Sequence, residues 1–171
     1  MAVREIITLP HQTLRRKARK VTDFSSDLHA LIDDMVETMR QAPGVGLAAP
    51  QVNAPLRVIV VEYPEKDDEE DAHAKLFVVV NPEIVRSSSE TEIGTEGCLS
   101  IPNVLGDVER AYAVNVKGFN RRGQPLKIKA NGWLARIFQH EIDHLDGVLF
   151  VDRAKRVWEV EGQTSQVLPA D

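Results

Sequence analysis

The pentapeptide His140-Glu141-Ile142-Asp143-His144 restricts this chain more than any other stretch. Two histidines four residues apart stand about 6 Å apart along an α-helix and about 13 Å apart along an extended strand. Both can hold one metal ion only if the segment is helical. A helix from about Asn131, a candidate N-cap, to Gly147, a candidate C-terminal glycine, accommodates them. At about 100° per residue, Trp133, Ile137, His140 and His144 fall in one stripe, and Leu134, Phe138, Ile142 and Leu145 in another. One stripe can enter a core while the other walls an apolar pocket; two histidines on a solvated helix would not need such company. Glu141 lies beside the metal position instead of in it, near the boundary of the stripes, where partial burial raises a carboxyl toward the pKa of a general acid or base.

A third ligand is needed. The run HEIDHLDGVLF matches the protease pattern HExxHxxGxxH except at its last position, where Phe150 stands. Phenylalanine offers no ligand, which disfavours that protease class and leaves Cys98, the single cysteine, as the candidate. One cysteine excludes an internal disulfide, and read alone it would more often be a small buried hydrophobe. It sits in EGCLS (96–100), read as a polar loop between strands, with Gly97 allowing close backbone approach. A Cys/His/His set leaves a fourth coordination position open.

The segment GVGLAA (44–49) satisfies the dinucleotide pattern GxGxxG/A, but a helix precedes it and Pro50 and a strand follow, the reverse of what phosphate binding requires. Its backbone amides and carbonyls suit an extended peptide better. Gln51 carries an amide that can donate to a developing oxyanion; as an ordinary polar loop residue it would need no such role.

Around these motifs, Leu28, Leu31, Ile32, Met35, Val36 and Met39 mark an amphipathic helix, with Ser26 as its cap and Pro43 at its end. RVIVVE (57–62), LFVVVN (76–81), PEIVRS (82–87), AYAVNVKGF (111–119) and PLKIKA (125–130) read as strands, the last two joined at Gly123. Many strands with two helices give an α+β fold, a single domain over 1–171, with a solvated acidic loop at 65–75 and a tail from about 156 that is loose or docked by Trp158 alone. Hydrophobic residues at 43% and charged residues at 27% match a soluble globular protein. The net charge of −5 and the scatter of basic residues, beyond the run at Arg15, Arg16, Lys17, Arg19 and Lys20, predict no direct nucleic-acid site. No leader or membrane-spanning run is read, so the expected location is cytoplasmic, without membrane contact.

GVGLAAPQ (44–51), EGCLS (96–100) and QHEIDHLDG (139–147), in that order, resemble the three-motif signature of the peptide deformylases, and ITLPHQTLRRKARKV (7–21) resembles the family's opening. The resemblance spans about 3–155 and implies antiparallel β-sheets packed around a central helix bearing both histidines. It implies one divalent metal ion on Cys98, His140 and His144, iron(II) being favoured while zinc, nickel or cobalt suit the same donors. Glu141 would be the general acid/base, with Gln51 and the Leu99 backbone N–H at the oxyanion. The implied partner is a formyl-methionyl peptide bound as an added strand, with Gly44, Gly46 and Gly97 as main-chain contacts and Val45, Trp133 and Ile137 around the methionine; the implied product is formate. A transient ribosome contact is also implied, although the short tail, with Gly162 and Pro169, departs from the long terminal helix through which many bacterial members dock. A second departure is Gly94, four residues before Cys98, where many relatives place a larger apolar residue; that wall is then open or filled by Ile93. Two other readings compete: a metallopeptidase acting on internal bonds, which casein digestion would reveal, and a non-enzymatic binding module, which would lack turnover.

Overall fold

The unbroken apolar run at 58–61 is stable as a strand only where both sheet faces are covered. The computed structural model describes residues 2–65 and 73–161, and it supplies both covers. In chain order its elements are α1 (Ser26–Gln41), β1 (Gly46–Ala48), β2 (Val58–Tyr63), β3 (Lys75–Ser87), β4 (Thr91–Cys98), β5 (Ile101–Ala111), β6 (Ala113–Phe119), β7 (Pro125–Asn131), α2 (Gly132–Leu145), α3 (Phe150–Arg153) and β8 (Arg156–Glu159). The strands form two antiparallel sheets, β1-β2-β3-β6-β7 and β4-β5-β8.

Alternate residues of β2 go to opposite sides. Val58 and Val60 join Ile32, Met35 and Met39 of α1 in one core, while Ile59 and Val61 join Leu134, Phe138 and Leu145 of α2 in another. Phe77 of β3 meets Phe138 edge-to-face at 5.4 Å, a geometry worth about 0.5–1.5 kcal/mol beyond burial. The second sheet lies across α2, with Cys98, Ile101 and Val108 packed on Leu149 and Phe150. The helix with the histidines is thus enclosed on both sides, as its two apolar stripes require.

Several sequence expectations change. The helix α1 buries all six residues assigned to its core face, but its N-cap is Ser25; Ser26 is already helical, and Ser25 makes no side-chain capping bond. Asn131 is the N-cap of α2 as expected, although its side chain makes no capping bond and it also ends β7. The runs at 76–81 and 82–87 are one strand: Asn81, at φ 52, carries a register shift, and its amide accepts from Val21 N and donates to Val21 O at 2.8 and 2.9 Å. EGCLS is only partly a loop: Glu96 to Cys98 end β4, which pairs with β5 through 91–98, and Leu99 and Ser100 form the turn that follows. Nor does Trp158 dock the tail alone; β8 pairs with β5, Leu105 facing Trp158. Most of the acidic segment and residues 162–171 lie outside the described residues. Among those described, no helix is long and apolar enough to cross a membrane.

Gly147 follows α2 at φ +73, and a Cβ there would lie 2.4 Å from the Arg15 carbonyl oxygen. Gly147→Ala is expected to cost at least about 2 kcal/mol through backbone strain and that clash. Urea unfolding measures it; an unchanged midpoint would contradict the close approach.

Candidate metal centre

The site is built where β4 runs alongside α2. Side chains on one face of a strand recur every second residue, about 6.7 Å, and those on one face of a helix every fourth, about 6 Å. These spacings nearly match, so a strand and a helix lying side by side can form successive rungs. Three rungs are present. Gly94 faces the guanidinium of Arg136, which lies 2.9 Å from where a Cβ would stand. Glu96 Oε1 accepts from His140 Nδ1 at 2.9 Å, and Cys98 Sγ lies 3.4 Å from His144 Nε2. A register shift after Gly97 marks a local irregularity of β4 at its last residue, Cys98.

The donor atoms of Cys98, His140 and His144 all lie within 4.8 Å of one another, and all three residues are buried. Bonds of about 2.3 Å to sulfur and 2.0–2.1 Å to nitrogen at tetrahedral angles put S and N about 3.6 Å apart. The Cys98–His144 separation of 3.4 Å fits this. His140 Nε2 is buried without a hydrogen-bond partner, an arrangement that costs about 1–3 kcal/mol unless a ligand uses the lone pair. The residues therefore fit a divalent ion.

Glu96 sets the chemistry of His140. Burial favours its neutral form, but hydrogen bonds from His140 and Arg110 and the Arg110 charge outweigh this and hold the carboxyl well below the usual range. Arg110 donates Nε to Oε2 and Nη2 to Oε1, both at 2.9 Å, and Arg136 donates Nη1 to Oε2 at 2.7 Å. An ionised Glu96 only accepts, so His140 carries its proton on Nδ1 and turns the Nε2 lone pair toward Cys98 and His144. Arg110 also donates to Asp143 at 2.6 Å, which adds a second tie between β5 and α2.

Glu141 is fully buried, and burial pushes its pKa up to about 7, where a carboxyl can both take and give a proton near neutrality. A Cβ on Gly46 would lie 2.5 Å from Glu141 Oε2, so any larger residue there would have to push this carboxylate aside. Gln51, also buried, accepts from Ala48 N at 3.0 Å and donates Nε2 to Ser100 Oγ at 3.1 Å, with Cys98 Sγ at 3.7 Å. Leu99 is half-buried in the turn after Cys98, and Gly97 is buried before it. Val45 and Trp133 are half-buried and pack on the cluster that holds Ile137, while Gly44, half-buried, donates its N–H to Met39 O at 2.8 Å at the end of α1.

The structure thus brings Cys98, His140 and His144 together, with Gln51 beside Cys98 and Glu141 against Gly46, while Leu99 packs on the core that includes α1 and Val45 and Trp133 on the one that holds Ile137. Ile93 does not fill the space at Gly94: it is 55% exposed, on the opposite face of β4, and Arg136 takes the place. Phe150, where a third histidine would have stood, stacks on His140 at 6.1 Å. Sequence reading missed Glu96, Arg110 and Arg136. Glu96 lies two residues before Cys98 and Arg136 four before His140, signals readable only once β4 is recognised as a strand beside the helix.

Comparison with known proteins follows the same lines. The family model described as polypeptide deformylase matches residues 3–159. A peptide deformylase of Halothermothrix orenii is 48% identical over 159 residues, covering 93% of this chain and 98% of the relative. One from Symbiobacterium thermophilum is 46% identical, covering 99% and 78%. Among solved structures, a peptide deformylase from Synechococcus elongatus in complex with actinonin superposes with TM-score 0.79 at 42% identity, covering 88% and 78%. A class I type b peptide deformylase from Acinetobacter baumannii gives 0.82 at 42%, covering 90% and 100%.

Replacing Glu96 by Gln removes one acceptor and the charge that fixes the His140 tautomer. Chelator competition is expected to show metal held about 10- to 100-fold more weakly; unchanged affinity would contradict this account of Glu96.

Proposed function

The chain belongs to the polypeptide deformylase family, and on that premise we propose that it hydrolyses the N-formyl group from the N-terminal formylmethionine of nascent polypeptides, releasing formate. The observation that carries this is the convergence of Cys98, His140 and His144 within 4.8 Å, beside the buried carboxyl of Glu141 and the buried amide of Gln51.

A divalent ion held by Cys98, His140 and His144 supplies Lewis-acid activation of water and of the formyl oxygen. Iron(II) is the ion we propose, on the family resemblance; the mixed sulfur and nitrogen donors suit it as they suit zinc, nickel or cobalt. Glu141 takes a proton from the attacking water as its oxygen bonds to the formyl carbon. It then gives that proton to the nitrogen as the carbon–nitrogen bond breaks, leaving formate and a free methionyl amine. Gln51 Nε2–H and the Leu99 backbone N–H donate to the oxygen that gains charge. The substrate lies as an added strand at β1, the end strand of its sheet, contacted by the main chain of Gly44, Gly46 and Gly97. Val45, Trp133 and Ile137 surround the methionine side chain. The reading places the protein in the cytoplasm, in transient contact with the ribosome where such chains emerge.

The test is formate release from formyl-Met-Ala-Ser by protein purified without air, with metal analysis and casein in parallel. Metal-dependent formate release with casein intact is the expected result. Bound metal with casein cleaved and no formate would replace this reading by the peptidase one. Glu141→Ala is expected to keep the metal and lower kcat at least about 100-fold; near-normal turnover would remove Glu141 from its role.

A further inference from the structure

Arg136 is 5% exposed and ends among polar atoms of the hairpin across from its own helix. Its Nη1 donates to Glu96 Oε2 at 2.7 Å and Val108 O at 2.8 Å, and its Nη2 donates to Glu92 O at 2.8 Å. The guanidinium also lies 5.3 Å from the Trp133 ring centroid. All three acceptors belong to β4 or β5, so one side chain of α2 fastens the helix to the hairpin that bears Cys98. This placement depends on Gly94. A Cβ there would come within 2.9 Å of Arg136 Nε and Cζ and 3.0 Å of Nη2.

We propose that Arg136 is a positioning residue of the metal centre, acting through Glu96 on His140, and that Gly94 provides its place. The terminal torsion of a glutamate is broad and does not by itself fix its oxygens. Arg110 and Arg136 share Oε2, which leaves Oε1 turned toward His140 Nδ1. The bonds from Arg136 to the Glu92 and Val108 carbonyls hold the hairpin at the distance from α2 that brings Cys98 Sγ to His144. With a Cβ at 94 the guanidinium would have to move, so Gly94 and Arg136 act as a size-matched pair.

The inference rests on the reading of Cys98, His140 and His144 as metal ligands. Wild type, Arg136→Met, Gly94→Ala and the double variant are loaded with cobalt(II), titrated with a competing chelator, and their cobalt absorption bands recorded. Arg136→Met is expected to hold cobalt about 10- to 100-fold more weakly with shifted bands, and Gly94→Ala about 10-fold more weakly, because its methyl displaces the guanidinium. The double variant is expected to be no weaker than Arg136→Met, since the space in dispute is then vacated. Wild-type affinity and bands in Gly94→Ala, or losses that add in the double variant, would overturn the proposal even if Arg136→Met fails to fold. A wild-type chain that binds no cobalt would overturn the metal reading and this proposal together.

Discussion

The hydrogen bond between Glu96 and His140 is the interaction on which the site depends. A carboxylate out of water costs several kcal/mol unless charged partners surround it, and Glu96, with no exposed side-chain surface, receives four hydrogen bonds from Arg110, Arg136 and His140. The same carboxylate joins a hairpin of one sheet to a helix packed on the other. It also decides which imidazole nitrogen keeps its proton. Charge, attachment and tautomer are settled at one residue, and the three could not be changed separately.

The geometry around it follows from two periods. A helix repeat of four and a strand repeat of two advance by nearly the same distance, so three residues of β4 meet three of α2 in register. The cluster proposed to hold the metal is the far end of that register. A protease-like motif that lacks its third histidine is completed from a neighbouring strand, and Phe150, in the vacated sequence position, packs its ring against His140 instead. Enclosing α2 between two sheets keeps the donors dry. The same burial raises the pKa of Glu141 to about 7, so the enclosure that stabilises the helix also tunes the carboxyl we propose as the acid/base group.

Where apolar residues alone face the core, the sequence could be read. The six core positions of α1, the two stripes of α2 and the runs in β2, β6 and β7 obey simple periods because hydrophobic burial is periodic. The sheet β4-β5 escaped because its inward face carries Gly94, Glu96 and Arg110 while Ile93 faces out, so the usual alternation is inverted. That inversion is the signature of the ionic network, and it hid the strand that carries Cys98. The long strand β3 runs through Pro82, a residue that argues against a continuous ladder, and Asn81 absorbs the irregularity with its side chain on Val21. The grouping of Cys98, His140 and His144 was legible from residue type and spacing. Their supporting arginines were not, because nothing local says which strand a buried guanidinium will meet.

X-ray absorption of the metal-loaded protein tests the central claim most directly, since it counts donors by element and distance. The account predicts one sulfur at about 2.3 Å and two imidazole nitrogens at about 2.0–2.1 Å. A first shell of nitrogen and oxygen alone would place Cys98 outside it and contradict the pairing of β4 with α2 as the origin of the site.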